Sequence, residues 1–559
     1  MNGATLLIAG AVLFALAYVF YGGFLQRLFG VDPTRETPAH TKQDGIDYVP
    51  TKAPVLFGHH FASIAGAGPI VGPVVAVYLG WGPVVLWIIF GCIFVGAVHD
   101  FSALFLSVRH GGRSIGSVIE DHLGMTGRLT FLLFCWVALV LVVAVFAILV
   151  AETFVDKPSV ATASLLFIGI APIFGVLVHR KNVPILPASV IFVPLLFVFI
   201  WIGVNAPLDL VVLEVCANEA QATNSWLVVL FVYVAIASVL PVWLLLQPRD
   251  YLNSYLLYAM IALGFGGILV VAPEFNMPAF TGWAGTDPKG NLGHIFPILY
   301  VTVACGACSG FHALVSSGTT AKQLDSERHI KPIGYGAMLV EGLVALMALI
   351  SVAILTKDSY GEMLREGNPV KAFSAGLASF SASLGLRQSV GATFFALTIS
   401  AFMLTTLDTA TRLSRFVWQE LFSPPPGHEK QAHLLAWRHF LSHAVPATLV
   451  VVAAAATLAF SGSAWQIWPV FGASNQLLAA LTLLVVTLVL VRRKANFWVA
   501  LIPMLFMSAI TIWALFELLK DNLKPDGQTL LVAATGVLLL LALGLAGMSV
   551  WSLRRPTRT

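Results

Sequence analysis

The sequence predicts an all-α polytopic membrane protein, and three observations lead to this fold class. Of the 559 residues, 58% are hydrophobic and only 10% are charged, whereas soluble proteins carry about 25% charged residues. Apolar stretches of about 20 residues, the length that spans a bilayer, recur along the chain. Lys and Arg fall mainly into alternate connecting loops. No soluble core could bury this much apolar sequence, so lipid must be the solvent for much of the chain.

Fifteen apolar stretches are long enough to cross a membrane as helices. No linker or low-complexity tract separates them, so we predict one transmembrane domain over residues 1–559. Numbered span 1 to span 15, they are residues 4–26, 57–79, 84–108, 129–151, 160–179, 184–205, 225–246, 252–273, 293–318, 333–356, 389–409, 436–460, 466–491, 495–519 and 528–553.

The basic residues test this count independently, because Lys and Arg concentrate in cytoplasmic loops. The segments after odd-numbered spans, together with Arg438 at the start of span 12, hold 23 of the 31 Lys and Arg residues, and the opposite segments hold eight. This alternation predicts an N-terminus outside the cell and a cytoplasmic C-terminus. The first apolar stretch has no basic residue before it, which favours a retained helix over a signal peptide.

Span 2 is predicted to be interrupted. It carries Gly66, Gly68, Pro69, Gly72 and Pro73 within eight residues. Proline removes a backbone donor and glycine weakens a helix. In hydrocarbon such a break is tolerated only where it faces protein or water.

Span 9 has a similar break at residues 305–310 (CGACSG) and runs in the opposite direction by the predicted topology. Two interrupted helices of opposite direction are expected of an inverted-repeat carrier with a site at the membrane midplane. The repeats would be residues 57–273 and 293–553, with residues 1–30 as an extra helix. The alternative is that both stretches are close-packing seams.

Broken helices expose backbone N–H groups, which favour an anionic ligand. We therefore predict that a substrate carboxylate binds between the two breaks. The predicted substrate-binding residues are Gly66, Gly68, Pro69, Gly306, Ser309, Gly310 and His312.

Ionisable residues inside a membrane are costly and are functional candidates by default. In span 11, Asp408 lies among the hydroxyls of Thr405, Thr406 and Thr409. Such oxygen ligands suit Na⁺ or a transferable proton, and we expect them to face the break of span 2. The alternative is that Asp408 pairs with Arg412, four residues later on the same helix.

Two further carboxylates, Asp100 in span 3 and Glu341 in span 10, are candidates for proton coupling or for helix–helix pairing. His312 follows the break of span 9 and could titrate near neutral pH. The other histidines at span ends or breaks are His59, His60, His99 and His294.

Three further segments carry predictions. The outer loop 357–388 is semi-polar and helix-compatible, and we expect it to cover the outer entrance as a lid. The loop from Pro273 to Asn291 is predicted to be irregular. The run from Gln247 to Tyr251 (QPRDY) is predicted to form a tight cytoplasmic turn with a structural role.

Other functional classes are disfavoured. There is no basic face for nucleic acid, no P-loop and no HExxH motif. Cys305 and Cys308 lack partner ligands for zinc, so packing is the favoured role. We expect no enzyme activity, cofactor or metal. The remaining alternatives to a carrier are a membrane-embedded nutrient sensor and a channel.

Several motifs resemble the carbon starvation protein A family between residues 30 and 480. They are VDPTRETPA, DGIDYVPT, FGHHFASIAGAGPIVGPV, VHDFSALFLSVRHGGRSIG, LPVWLLLQPRDYLNSYLL, CGACSGFHALVSSGTTAKQ, GYGAMLVEG, TTLDTATRLSRF and WPVFGASNQLLAALTL.

The resemblance implies a carrier in the bacterial inner membrane for short peptides, with some relatives taking up pyruvate. It favours coupling to protons over Na⁺. It also implies a leucine-transporter-like core in which spans 2–6 and 9–13 form the inverted repeat. A seven-plus-seven inverted repeat is the alternative.

Overall fold

The computed structural model describes residues 2–45, 48–241, 243–286, 292–366, 369–422, 436–462, 464–524 and 528–554. Within them, thirteen helices are long and apolar enough to cross a membrane, and they match the thirteen spans predicted to be continuous. They are Gly3–Phe29, Trp81–Arg109, Leu123–Asp156, Pro158–Arg180, Ile185–Asn205, Glu219–Val239, Leu246–Val271, Glu327–Ala353, Gln388–Phe422, Ala444–Ser461, Gln466–Arg492, Trp498–Asn522 and Thr529–Met548.

Span 2 is broken as the sequence predicts. The helix Ala53–Ile64 and the segment Gly68–Leu79, which are the inner and outer halves of the span in the predicted orientation, meet at an angle of 44°. Pro69 occupies the first turn of the outer helix, where a missing N–H costs nothing. Counting this bent pair as one crossing raises the number of crossing candidates to fourteen.

Span 9, the fifteenth predicted crossing, is not among these candidates and consists of short helical pieces. A helical stretch formed by Ile295–Leu299 and Tyr300–Thr302 ends at Val303. Helical structure resumes at Phe311–Val315 and continues as a π-helical turn, Ser316–Thr320. The small residues between them leave no continuous helix long enough to cross, so the break is more extensive than that of span 2.

Four helices form the buried centre of the protein, and they are those of spans 4, 10, 11 and 13. Between 83% and 89% of their most apolar stretches is buried, against 28% for the helices of spans 6, 12 and 15. The span 4 helix, Leu123–Asp156, and the span 11 helix, Gln388–Phe422, pack against each other along their lengths. The two broken spans therefore lie among helices that shield them from lipid.

The outer loops are more ordered than the sequence suggests. The predicted lid consists of two helices, Lys357–Glu366 and Pro369–Ala382, and its residues 367 and 368 lie outside the described part. In the loop from 273 to 291, residues 284–286 pair with 292–294 as two antiparallel strands. The prediction of a wholly irregular loop is therefore wrong, because this pairing partner lies beyond the loop. Residues 287–291 are not described.

The glycines of span 2 allow the two broken helices to approach each other at the backbone. A Cβ atom at Gly72 would lie 2.6 Å from the Thr302 carbonyl oxygen and 3.0 Å from the Val303 Cα. Backbone atoms cannot rotate away as a side chain can. The alternative prediction of a close-packing seam thus describes this contact correctly, and the seam runs directly beside the breaks.

We expect Gly72→Ala to lower the stability of the folded protein by about 1–3 kcal/mol, the usual range for overpacking. The measurement is the free energy of unfolding in detergent micelles. Gly169→Ala is the matched control, since that helical glycine has nothing within 4 Å of its Cβ position. Equal stabilities of the two variants would show that the contact between spans 2 and 9 is not tight.

Candidate functional site

The breaks of spans 2 and 9 meet in the interior of the protein. A Cβ atom at Gly68 would collide with the Cys305 side chain. A Cβ atom at Gly306 would lie 3.5 Å from the Pro69 Cα. A Cβ atom at Gly66 would lie 2.6 Å from the Thr406 hydroxyl oxygen. The structure therefore brings the predicted substrate-binding segments together, with span 11 beside them.

Asn475 of span 13 closes the break of span 9. Its side-chain oxygen accepts the Phe311 N–H at 2.8 Å, and its backbone carbonyl accepts the Gly310 N–H at 3.0 Å. Its amide nitrogen donates to the Ser309 hydroxyl at 3.0 Å and to the Cys305 sulfur at 3.3 Å. One buried side chain thus caps a helix that begins inside the membrane.

Two backbone donors that the sequence suggested would be free are already used. The Gly66 N–H donates to the Ile64 carbonyl at 2.8 Å, and the Gly310 N–H is taken by Asn475. In this conformation the junction of the two breaks is packed and largely satisfied. An incoming carboxylate would have to displace these internal bonds to use the same donors.

Asp408 forms a buried ion pair with Arg249 of span 8. The Tyr233 hydroxyl donates to the same carboxylate oxygen at 2.7 Å, and the Arg249 guanidinium also lies 3.3 Å from Asp250. The side chains of Arg249 and Asp408 are 3% and 1% exposed. A guanidinium remains protonated in proteins, so the Asp408 charge has a permanent partner.

This ion pair corrects two interpretations of the sequence. The proposed pairing of Asp408 with Arg412 is wrong, since Arg412 donates to the carbonyls of Ala237 and Leu240. The run from Gln247 to Tyr251 is not a surface turn, because a helix already begins at Leu246 and buries Arg249.

The threonines of span 11 do not converge on Asp408. Thr405 accepts a hydrogen bond from Asn253 at 3.3 Å, whereas Thr406 faces Gly66 of span 2. Thr409 is buried but has no hydrogen bond to Asp408 among the described contacts. Successive helical residues point about 100° apart, which disperses these hydroxyls around the helix. The structure therefore does not bring the predicted cation-coupling residues of span 11 into one site.

A second cluster of ionisable groups is completely buried. The Asp100 carboxylate bonds to the His99 Nδ1 and to the His312 Nδ1, each at 2.7 Å. The other ring nitrogen of His312 lies 3.4 Å from a Glu341 carboxylate oxygen. All four side chains are 0% exposed. Three spans of the sequence thus supply one connected unit of two acids and two imidazoles.

The remaining histidines and cysteines have separate environments. His60 bonds to the Thr320 hydroxyl at 2.8 Å, and His59 lies 3.5 Å from Asp250. His294 is exposed in the outer strand pair. Cys305 and Cys308 are free and buried.

Sequence reasoning missed three residues that organise this region, namely Tyr233, Arg249 and Asn475. Each sits in a predicted span or beside one, and each is polar. The adjacent Arg249 and Asp250 between two apolar stretches were the available signal, since such charges cost free energy in a membrane unless paired. The partners themselves are 159 residues apart in the case of Arg249 and Asp408, so spacing could not reveal them.

A cavity of about 420 Å³ lies at the predicted cytoplasmic end of span 2. Its lining includes the exposed His179 and Arg180 and the partly buried His59, which is five residues before the break. The other lining residues are Gly45, Val49, Thr51, Val55, Phe174, Val178, Ile185, Trp243, Gln247, Pro248, Tyr251 and Gln323.

The opposite end of span 2 is covered. Tyr360 of the first lid helix is 1% exposed and donates to the carbonyls of Val74 and Val75 at 3.0 and 2.9 Å. The second lid helix, Pro369–Ala382, packs against spans 8, 10 and 11 as well as the outer half of span 2. The loop predicted as a lid thus lies over the broken helix.

These features define a multi-pass α-helical membrane protein with two interrupted helices at its centre. A family model described as "Carbon starvation protein CstA" matches residues 2–367 and 359–514. The chain belongs to this family of carbon starvation proteins, as the sequence motifs predicted.

Three relatives illustrate the similarity. The peptide transporter CstA of Escherichia coli (strain K12) is 35% identical over 94% of this chain and 82% of its own length. The pyruvate/proton symporter BtsT of the same strain is 33% identical, with coverages of 93% and 82%. The peptide transporter CstA of Bacillus subtilis (strain 168) is 31% identical, with coverages of 97% and 95%.

The buried ion pair leads to a prediction about stability. Arg249→Met leaves the Asp408 charge unpaired, and we expect a loss of about 3–5 kcal/mol in the free energy of unfolding. In a double-mutant cycle with Asp408→Leu, the double variant should lose less than the sum of the single losses. The same cycle for Arg412 and Asp408 should give a clearly smaller coupling energy. Equal coupling in both cycles would contradict the observed pairing.

Proposed function

We propose that this protein is a secondary active transporter that imports short peptides or small carboxylates such as pyruvate, coupled to protons, across the bacterial inner membrane. The names of its relatives support both substrate classes and support proton coupling. The proposed orientation, with the N-terminus outside, rests on the distribution of basic residues. The carbon-starvation response follows from the family to which the chain belongs.

The observation that carries the proposal is the asymmetry of access around span 2. A cavity opens at one end of the broken helix, and the lid helices close the other. A carrier that alternates between two faces must pass through a conformation open on one side only. With the proposed orientation, this conformation faces the cytoplasm.

The junction of the two breaks is our proposed substrate site. Its residues are buried, and the cavity approaches it along the inner half of span 2. A substrate carboxylate would engage backbone donors there once the lid opens and the internal bonds rearrange. The broken helices favour such a rearrangement, because few backbone bonds hold each half to the other.

Uptake by the purified protein in proteoliposomes tests this function. We expect labelled pyruvate or labelled di- and tripeptides to accumulate against their gradient when the outside is more acidic. Setting pH and Na⁺ gradients independently identifies the driving ion. Movement of substrate only down its own gradient would favour a channel, and no movement would favour a sensor.

Lid opening can be detected by cysteine labelling from the outside. Ser374 is fully buried in the second lid helix, whereas Ser383 at its end is exposed. We expect an impermeant maleimide to label Ser374→Cys slowly, at a rate that saturating substrate changes. Ser383→Cys, the matched control, should react quickly in both conditions. A substrate-independent rate at position 374 would argue against a moving lid.

A further inference from the structure

We propose that Glu341 carries the transported proton, that His312 shares it, and that Asp100 holds His312 in position. This inference rests on the proposed transport function and assigns its coupling site. It moves that site away from Asp408, although Asp408 is the more conspicuous acid in the sequence.

Within the described residues, the buried unit lacks hydrogen bonds at two places, which are the His99 Nε2 and the gap between the His312 Nε2 and the Glu341 carboxylate. Asp100 bonds to His99 and to the Nδ1 of His312, which fixes the orientation of the His312 ring. The Nε2 of that ring points toward Glu341 at 3.4 Å. Neither oxygen of Glu341 has a hydrogen bond within the described residues. A buried acid without a hydrogen bond is expensive when charged, and it therefore favours a proton.

The charges differ in kind from those around Asp408. Arg249 cannot give up its proton, so the ion pair of Arg249 and Asp408 keeps its charge throughout a cycle. Imidazoles and carboxylates can both exchange protons. Asp100 and Glu341 both face an imidazole and have no permanent cation beside them, but Asp100 is held by two hydrogen bonds and Glu341 has none within the described residues. The protonation state of Glu341 can therefore change during transport.

Other titratable groups surround the unit on every side. His99 is on the same helix as Asp100, and His60 of span 2 interacts electrostatically with Asp100 and His312. Three neighbouring thiols interact electrostatically with the carboxylates of Asp100 and Glu341, and they belong to Cys92, Cys305 and Cys308. None of these neighbours supplies a fixed positive charge. The proton balance is thus decided by His312, Glu341 and Asp100.

The proton balance is simple. In the loaded state Asp100 is ionised, His312 is protonated on both nitrogens and Glu341 is neutral, so the three charges sum to zero. Release breaks the O–H bond of Glu341 and passes its proton to water in the cavity. The remaining proton on the His312 Nε2 can then be shared with the Glu341 carboxylate, leaving one net negative charge. That negative charge favours binding of a new proton before the carrier returns to its other conformation.

The unit also contacts both broken helices. His312 lies one residue after the start of the helix that follows the span 9 break, and its ring lies against the backbone of Ile64 at the span 2 break. Glu341 is one turn from Ala345, which packs 3.1 Å from the Gly306 Cβ position. A change of charge here acts directly on the two segments proposed to hold the substrate.

The local backbone is unusual at each of the three elements. Three of the five π-helical turns in the described residues, Cys92–Gly96, Ser316–Thr320 and Lys331–Gly336, lie within five residues of His99, His312 and Glu341 respectively. Such turns are rare and frequently mark functional sites. A route toward the cavity follows the inner half of span 2, where His60 bonds to Thr320 and the adjacent His59 lines the cavity.

The test uses the full-length protein in proteoliposomes, with labelled pyruvate and labelled dipeptides as probes and an internal pH dye. Glu341→Gln mimics a permanently protonated acid. We expect it to retain counterflow exchange of the probe that the wild type transports. We also expect loss of pH-driven accumulation and of substrate-linked internal acidification. The matched control is Glu517→Gln, which changes a partly exposed glutamate of span 14 and should accumulate substrate like the wild type.

The outcomes separate the two proposals. If Glu341→Gln accumulates substrate and acidifies the interior at wild-type levels, the assignment of the proton to Glu341 is overturned while the transport function stands. A folded Glu341→Gln variant that loses counterflow would also overturn that assignment. A wild type without counterflow of any probe would overturn the transport function itself. If Glu341→Gln aggregates, the variant Glu341→Asp tests the assignment of the proton instead. It keeps an acid at a longer distance from His312 and should shift the pH dependence of accumulation, and an unchanged profile would overturn the inference.

Discussion

Hydrocarbon offers no hydrogen-bond partner, and this constraint governs the whole arrangement. Two helices break inside the membrane, so their polar backbone groups must be satisfied by protein. Asn475 accepts the backbone N–H groups of Gly310 and Phe311 at the break of span 9, and its amide also donates to the Ser309 and Cys305 side chains. The glycines of span 2 bring its backbone close enough to pack against the same region. Without the shielding helices of spans 4, 10, 11 and 13, neither break could persist.

The same constraint applies to buried charge, and the protein meets it in two different ways. Arg249 and Asp408 neutralise each other permanently and join spans 8 and 11 with the help of Tyr233. The unit of Asp100, His312 and Glu341 has only exchangeable protons. The first arrangement suits a rigid connection between helices. The second suits a group whose charge changes, and its position beside both breaks makes that change relevant to access.

Access is asymmetric because the two ends of span 2 have different surroundings. The inner half, Ala53–Ile64, borders a cavity, whereas the outer half is held by Tyr360 and the lid helices. The break between the halves allows one to move without the other. Proton binding near the break could therefore bias the inner and outer halves in opposite directions, which is what coupled transport requires.

The sequence alone determined the membrane class, the helix positions, the two breaks and the helical character of the segment 357–388, since these depend on local composition and on glycine and proline chemistry. The inverted repeat stays a prediction. Only the tertiary structure decided which buried groups meet. The sequence placed Asp408 with the threonines of span 11 and offered Arg412, four residues away, as the alternative partner, but its partner Arg249 lies 159 residues away. A buried charge selects its partner by distance in space, and helix packing sets that distance.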